Sequence, residues 1–319
     1  MPSGVIISEA LTDALTVVTG GAFRGPSRPT VGGFSNLSFH TTMAAEPVVV
    51  KAATLSSKRA DLRREATVLS LLDQPGDTVL PVAEVRWHGD YEDWTVTVMK
   101  FVPGIHGIEE VERSRDTRDA AARVRGTLLA RLLHAVQRAA PQPVQDPDLD
   151  LSRRIVALRS FVDAMPAVDD DTLGAMQSAL GSRSVQRGVS FVHGDFGLHN
   201  LLWQVAESPS RMRVGALLDW EFAGWGSPLT DVAWLWWTLQ FRGTTEIVWP
   251  HFVEAFGPWA LETMGFSSEA VRDVISVQMI QLLSRTEAGS ASRTEWLKRW
   301  RALATLPEPT LLTPPRGSL

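Results

Sequence analysis

The strongest constraint on the fold is a change of pattern at Pro103-Gly104. Before it, Asn36 to Met43, Pro47 to Ala53, Val82 to Trp87 and Trp94 to Phe101 are short runs rich in valine, threonine and aromatic residues, the signature of half-buried strands. The segment His88 to Asp93 between the last two runs reads as a hairpin turn. One helix interrupts the strands: Ser57 to Leu72 places Leu62, Ala66, Leu69 and Leu72 on one face, and Pro75-Gly76 stops it. After Gly104 the pattern turns helical over Thr117 to Ala139, Leu151 to Met165 and Thr172 to Leu180. A β-rich island follows at Val189 to Val192, Leu201 to Gln204 and Arg213 to Asp219, and helical periodicity resumes from Leu229 to Leu303. The proline-rich tail from Thr305 is left without assigned structure. No internal repeat is found. The expected architecture is α+β, with a small antiparallel lobe over residues 1–103 and a larger, mainly helical lobe over residues 104–319.

Composition narrows the function classes. At 319 residues, 44% hydrophobic and 21% charged, the chain is an ordinary globule able to bury a large core. A net charge of -5 lacks the electrostatic footprint of a protein whose main partner is nucleic acid. With no cysteine, disulfides, thiolate zinc sites and cysteine nucleophiles are excluded together. No apolar run approaches the roughly 18 residues of a spanning helix, the densest being Ala233 to Leu239, so no membrane partner is expected. Glu9 and Asp13 interrupt the apolar residues of the amino terminus, which lacks a basic leader; a cytoplasmic location is the expectation. Lysine is scarce: Lys51, Lys58, Lys100 and Lys298 are the only ones among 31 basic residues, so each is worth following as a compact point charge.

The chemistry lies in the β island. Phe191-Val192 lead into His193-Gly194-Asp195, and Asn200 follows just before the apolar run Leu201-Leu202-Trp203. Leu217-Leu218 then deliver Asp219, a second carboxylate at the end of an apolar strand. One aspartate to accept a hydroxyl proton, with an asparagine and another aspartate to hold a hard divalent cation through oxygen, is what phosphoryl transfer from a nucleotide requires. The spacing His-x-Asp-x-x-x-x-Asn is common enough by chance to be only suggestive alone; its placement between strands, with the later aspartate and a lysine in the β-rich lobe, gives it weight.

The sequence here resembles the aminoglycoside phosphotransferase family and its choline-kinase-like relatives, a branch of the protein-kinase-like fold. VHGDFGLHN (192–200) is similar to the family's catalytic loop and LLDWEFAGWGSPLTDVAWL (217–235) to its metal-binding segment. GGFSNLSF (32–39) resembles the nucleotide-covering turn, VTVMKFVPG (96–104) the hinge between lobes, and LLARLLHAV (128–136) the helix before the catalytic region. The resemblance implies a bilobal protein-kinase-like fold, with Asp195 orienting or deprotonating an acceptor hydroxyl and Asn200 and Asp219 coordinating Mg2+. It further implies that Lys51 reaches the α- and β-phosphates of ATP or GTP, and that Glu65 pairs with Lys51. Gly33, Phe34, Ser35 and Asn36 would approach the phosphates, and Met99, Lys100 and Val102 would form the hinge, the base being read by main-chain groups of Lys100 and Val102. His193 and Asp231 are expected to brace the loop. A zinc site using His193 and His199 fails for want of an HExxH arrangement, and no Walker A or GxGxxG pattern is present.

The acceptor is less legible. A polycationic acceptor calls for a carboxylate-lined groove, yet Asp169, Asp170 and Asp171 read as the capped start of a helix, and the later acidic residues are interspersed with arginine. Trp220, Trp225, Trp234, Trp236, Trp237 and Trp249 crowd the segment after Asp219; most have core spacing, and one or two are candidates for an apolar acceptor wall. The leading expectation is a kinase of a small-molecule hydroxyl, in particular of an aminoglycoside, nucleoside, macrolide or other glycosylated antibiotic. The alternatives are a metabolic kinase of choline, an amino alcohol or a sugar, and a catalytically silent nucleotide-binding module. A monomer and a homodimer both remain open.

Overall fold

The computed structural model describes residues 9–18, 21, 23–29, 37–73, 80–113, 118–139, 149–165, 168–186, 189–204 and 212–306. The amino-terminal region contains α1 (Glu9–Val18), β1 (Phe23–Pro29), β2 (Leu37–Met43), β3 (Glu46–Ala53), α2 (Ser56–Leu72), β4 (Val85–Tyr91) and β5 (Trp94–Lys100). The strands form one antiparallel sheet in the order β1-β2-β3-β5-β4. Alternation along β3 decides what each face does. Val48, Val50 and Ala52 join Phe39, Val96 and Val98 in a core capped by Leu11 and Leu15 of α1, which sends Lys51 to the opposite face, the one α2 covers.

Two differences from the sequence-based expectation have physical causes. β1 carries two prolines and a glycine and shows no strand signal, but it lies at the sheet edge, where a missing N–H costs no ladder bond. The expected turn at His88 to Asp93 is mostly strand. β4 runs through Tyr91, and the turn is the pair Glu92-Asp93, with Glu92 at φ 49°. Gly89 reads as turn chemistry, yet it is the strand position over which the Trp87 ring folds: a Cβ there would sit 2.9 Å from Trp87 Cζ2.

Beyond the extended linker Phe101–Gly104 come β6 (Ile105–His106), α3 (Gly107–Arg113), α4 (Arg118–Ala139), α5 (Leu151–Asp163), α6 (Asp170–Gly181), α7 (Arg183–Gln186), β7 (Ser190–Val192), β8 (Leu201–Gln204), β9 (Arg213–Leu217) and β10 (Gly224–Gly226). The helices α8 (Leu229–Phe241), α9 (Thr245–Phe256), α10 (Pro258–Thr263), α11 (Ser268–Ser284) and α12 (Ala291–Leu303) complete the described chain. Two small sheets, β6-β8-β9 and β7-β10, hold the polar loops over this helical base. The segment after the linker pairs directly with the strand after the loop 193–200, Ile105 opposite Trp203. α8 is buried from Leu229 through Leu239, so it is the central helix on which the loops rest. Asp169 caps α6, accepting the Thr172 N–H at 2.8 Å, which accounts for the acidic triplet. Among the described residues, no helix is long and apolar enough to cross a membrane.

α4 and α9 pack at close range through Gly126. A Cβ there would lie 2.6 Å from the backbone of both His251 and Phe252. Alanine in a helix interior normally gains about 1 kcal/mol over glycine, whereas forcing a methyl against fixed backbone costs roughly 1–3 kcal/mol. Because backbone on both sides cannot yield, Gly126→Ala is expected to lower stability by up to about 2 kcal/mol in a denaturant melt; a stabilised variant would show that the helices slide apart freely.

Candidate active site

The loop after β7 is held by a buried carboxylate from the first turn of α8. Asp231 accepts the backbone N–H of His193 and of Gly194, each at 2.8 Å. Gly194 has φ +80°, and a Cβ there would sit 2.5 Å from the Phe222 carbonyl oxygen, so both the conformation and the space require glycine. Gln278 of α11 donates to the Gly194 carbonyl at 2.8 Å. His193 is fully buried and bridges the two functional loops: its Nδ1 accepts the Asp195 N–H at 3.2 Å, which leaves Nε2 to donate to the Leu218 carbonyl at 2.8 Å. Burial pushes its pKa down to about 4, so the neutral ring is a brace.

The loop presents the Asp195 carboxylate among three donors. Asn200 Nδ2 donates to Oδ2 at 2.9 Å, the Trp234 indole N–H donates to Oδ1 at 2.5 Å, and His199 Nε2 lies 3.0 Å from the same oxygen. Burial raises the Asp195 pKa, but His199 and the hydrogen bonds outweigh it and hold the group below its ordinary value. Asn200 closes the single turn Leu198–Asn200 and gives its amide nitrogen to Asp195 twice, leaving Oδ1 with no hydrogen bond among the described residues.

Across the cleft, Lys51 donates to both oxygens of Glu65, at 2.7 and 2.9 Å, and to Asp219 Oδ1. Glu65 also accepts the Trp220 backbone N–H, and its residue is 1% exposed. Burial pulls the Lys51 pKa down, and the two carboxylates more than reverse this, keeping it charged. Burial raises Asp219, and the Lys51 ammonium more than reverses that, leaving it below the usual carboxylate range. The Asp219 side chain remains 44% exposed against 12% for Lys51. Its backbone is left-handed, φ 60° and ψ 62°, a conformation that costs an L-residue about 1–2 kcal/mol and that aspartate tolerates better than most.

Asp195, Asn200, Asp219, Lys51 and Glu65 thus converge from β3, α2 and two loops. Glu65 and Asp219 pair with the Lys51 ammonium, and Asp195 lies near enough to Asp219 to oppose its ionisation, a grouping that a hard cation would relieve. No group of three or more His, Asp or Glu able to hold a metal alone exists among the described residues. Asn200 Oδ1 and the partly exposed Asp219 carboxylate are oxygen donors of the kind a hard divalent cation takes.

The Lys100 N–H is spent on the Glu84 carbonyl at 2.9 Å, because Lys100 ends β5 inside the sheet, so it is not free to read a base. Val102, in the linker, takes no main-chain hydrogen bond from the described residues. Met99 is 5% exposed and belongs to the core under α2. Gly33, Phe34, Ser35 and Asn36 lie outside the described residues.

A model of the phosphotransferase enzyme family matches residues 28–266. The chain belongs to that family. Among curated relatives, viomycin phosphotransferase of Streptomyces vinaceus is 26% identical over 219 residues, covering 64% of this chain and 72% of that protein. Acyl-CoA dehydrogenase family members 11 and 10 of Mus musculus are 39% and 24% identical over 70 and 220 residues, and the matched segments span only 8% and 19% of their lengths. Among solved structures, the gentamicin complex of APH(2'')-IIa superposes with a TM-score of 0.67 at 14% identity, covering 93% of this chain and 97% of that one. Aminoglycoside phosphotransferase APH(4)-Ia, in a ternary complex with ADP and hygromycin B, gives 0.65 at 16%, covering 93% and 98%. The fold is therefore the bilobal protein-kinase-like one.

Two residues at the site were not singled out for it in the sequence. Trp234 and His199 both contact Asp195 directly. His199 lies inside the quoted motif, and Trp234 sits among tryptophans of core spacing; its 3% exposure and that of Trp220, Trp236, Trp237 and Trp249 at 5% or less make them core instead of an acceptor wall. The buried carboxylate under the loop yields a prediction. Asp231→Ala leaves two buried amides unpaired and is expected to cost roughly 2–5 kcal/mol. Asp231→Asn sets an amide donor against one of those N–H groups, so it too is expected to destabilise; a denaturant melt matching the parent for Asn would show that the carboxylate is not needed.

Proposed function

We propose that the chain transfers the γ-phosphate of ATP or GTP to a hydroxyl of a small molecule, an antibiotic, with Mg2+ held by Asn200 and Asp219. The observation that carries this reading is the convergence of Lys51, Asp195, Asn200 and Asp219 in one cleft, with Lys51 already paired to both Glu65 and Asp219. Lys51, held extended by Glu65, binds the α- and β-phosphates. Asn200 gives its free oxygen to the metal while its nitrogen fixes Asp195. A magnesium ion held there would supply positive charge against the phosphate oxygens.

Asp195 meets the acceptor. Its lowered pKa makes it a weak base in the ground state, so it orients the hydroxyl and takes the proton as the new bond forms. The acceptor oxygen bonds to the γ-phosphorus, the bond from that phosphorus to the β–γ bridging oxygen breaks, and the products are a phosphate monoester and the nucleoside diphosphate. Viomycin phosphotransferase and the structural neighbours named with gentamicin and hygromycin B support an antibiotic acceptor. A metabolic hydroxyl compound is the second reading, since two of the curated relatives carry names that mention no antibiotic.

Incubation with magnesium and ATP or GTP over a panel of antibiotics and hydroxylated metabolites, read by mass spectrometry, tests both. A product heavier by one phosphoryl group is expected from an antibiotic. Transfer to a metabolite alone would replace the first reading with the second, and no transfer with intact nucleotide binding would favour a silent module. On the acceptor found, Asp195→Asn is expected to lower turnover by roughly 10²-fold or more; full turnover would remove Asp195 from its role.

A further inference from the structure

Asp61 lies one helical turn before Glu65 on α2, so the two carboxylates share a face. Glu65 reaches Lys51. Asp61, only 4% exposed, turns to the carboxy-terminal helices instead. Arg285, the residue that caps α11, donates Nη2 to Asp61 Oδ1 at 2.7 Å and Nη1 to Glu221 Oε1 at 3.1 Å. Its guanidinium lies 3.8 Å over the Phe222 ring. Arg64 closes the same cluster, donating Nη1 to the Glu221 carbonyl at 2.8 Å and lying 3.3 Å from Asp61. Glu221 is two residues beyond Asp219 and is 5% exposed. A planar guanidinium between two buried carboxylates and an aromatic face is a rigid joint; an ammonium satisfies only part of it.

The geometry points to Arg285 as a positioning residue. It holds the helix that carries Glu65 and the turn that carries Asp219 in one registration, and so fixes both carboxylates that aim Lys51 at the phosphates. This rests on the phosphotransfer reading, because the effect is exerted on the nucleotide's phosphate site. α11 touches neither Lys51 nor Asp219 through any hydrogen bond among the described residues, so the coupling runs through Asp61 and Glu221.

The test compares binding of magnesium ADP or GDP with binding of the corresponding nucleoside, by calorimetry on the full chain. Arg285→Met keeps a side chain over Phe222 and removes the joint. It is expected to weaken the diphosphate at least tenfold at unchanged stoichiometry, with nucleoside affinity unchanged, since the base and ribose do not use Lys51. Asp61→Asn is expected to act in the same direction, and combining the two to add little beyond Arg285→Met alone, as for partners in one contact. Should Arg285→Met fail to fold, Arg285→Lys replaces it, with an intermediate loss of diphosphate affinity expected. Equal diphosphate affinity in the folded variants, or equal losses for diphosphate and nucleoside, would overturn the positioning role. A parent chain that binds neither magnesium diphosphate would overturn the phosphotransfer reading and this role with it.

Discussion

One ammonium ties the two lobes at the candidate site. Lys51 sits on the sheet face opposite the α1 core, and from there it meets a carboxylate from α2 and another from the loop after β9. An ammonium removed this far from water is costly unless paired, and so is the buried Glu65 carboxylate without it. The three groups are consequently interdependent: Glu65 has no other side-chain partner among the described residues, and Asp219 stands on left-handed backbone with its charge offset by Lys51. Alternation in β3, the α2 face and the sharp turn after Leu218 all serve this one contact.

The remainder of the site is built around Asp195 by polar groups that come from buried positions. The neutral His193 ring joins the two loops, and Asp231 and Gln278 fix the loop backbone from α8 and α11. Asp195 itself is offered with one oxygen claimed by Trp234 and His199 and the other by Asn200. Under the proposed transfer, a carboxylate so well solvated by fixed donors would need little rearrangement when a hydroxyl approaches, which is the sense in which such a site is preorganised. Tryptophan is therefore abundant here for packing, and one indole N–H is used at the centre.

Much of this was legible in the sequence for a simple reason. Asp195, Asn200, Asp219, Lys51 and Glu65 each stand at the end of, or in phase with, an apolar pattern that fixes where they point. What escaped depends on three-dimensional context. β1 is a strand because it lies at an edge, not because of its composition. The Lys100 amide is consumed by Glu84, which only the β4–β5 pairing reveals. Arg285 is an ordinary residue after an amphipathic helix until α11 is seen to end against α2. Long-range polar contacts leave no periodic trace, so sequence pattern finds the groups and misses the joints between them.

The most direct test of a metal-dependent phosphate site at the Lys51 bridge is the affinity for ATP and GTP with magnesium and after its removal by chelation, in the parent and in Asp219→Asn. Asparagine tolerates the left-handed backbone of position 219, so the variant isolates the charge from the conformation. The parent is expected to bind one of the nucleotides at least tenfold more tightly with magnesium than without, and Asp219→Asn to lose that difference while keeping its fold. Nucleotide affinity indifferent to magnesium in the parent, or a magnesium effect unchanged in Asp219→Asn, would contradict it.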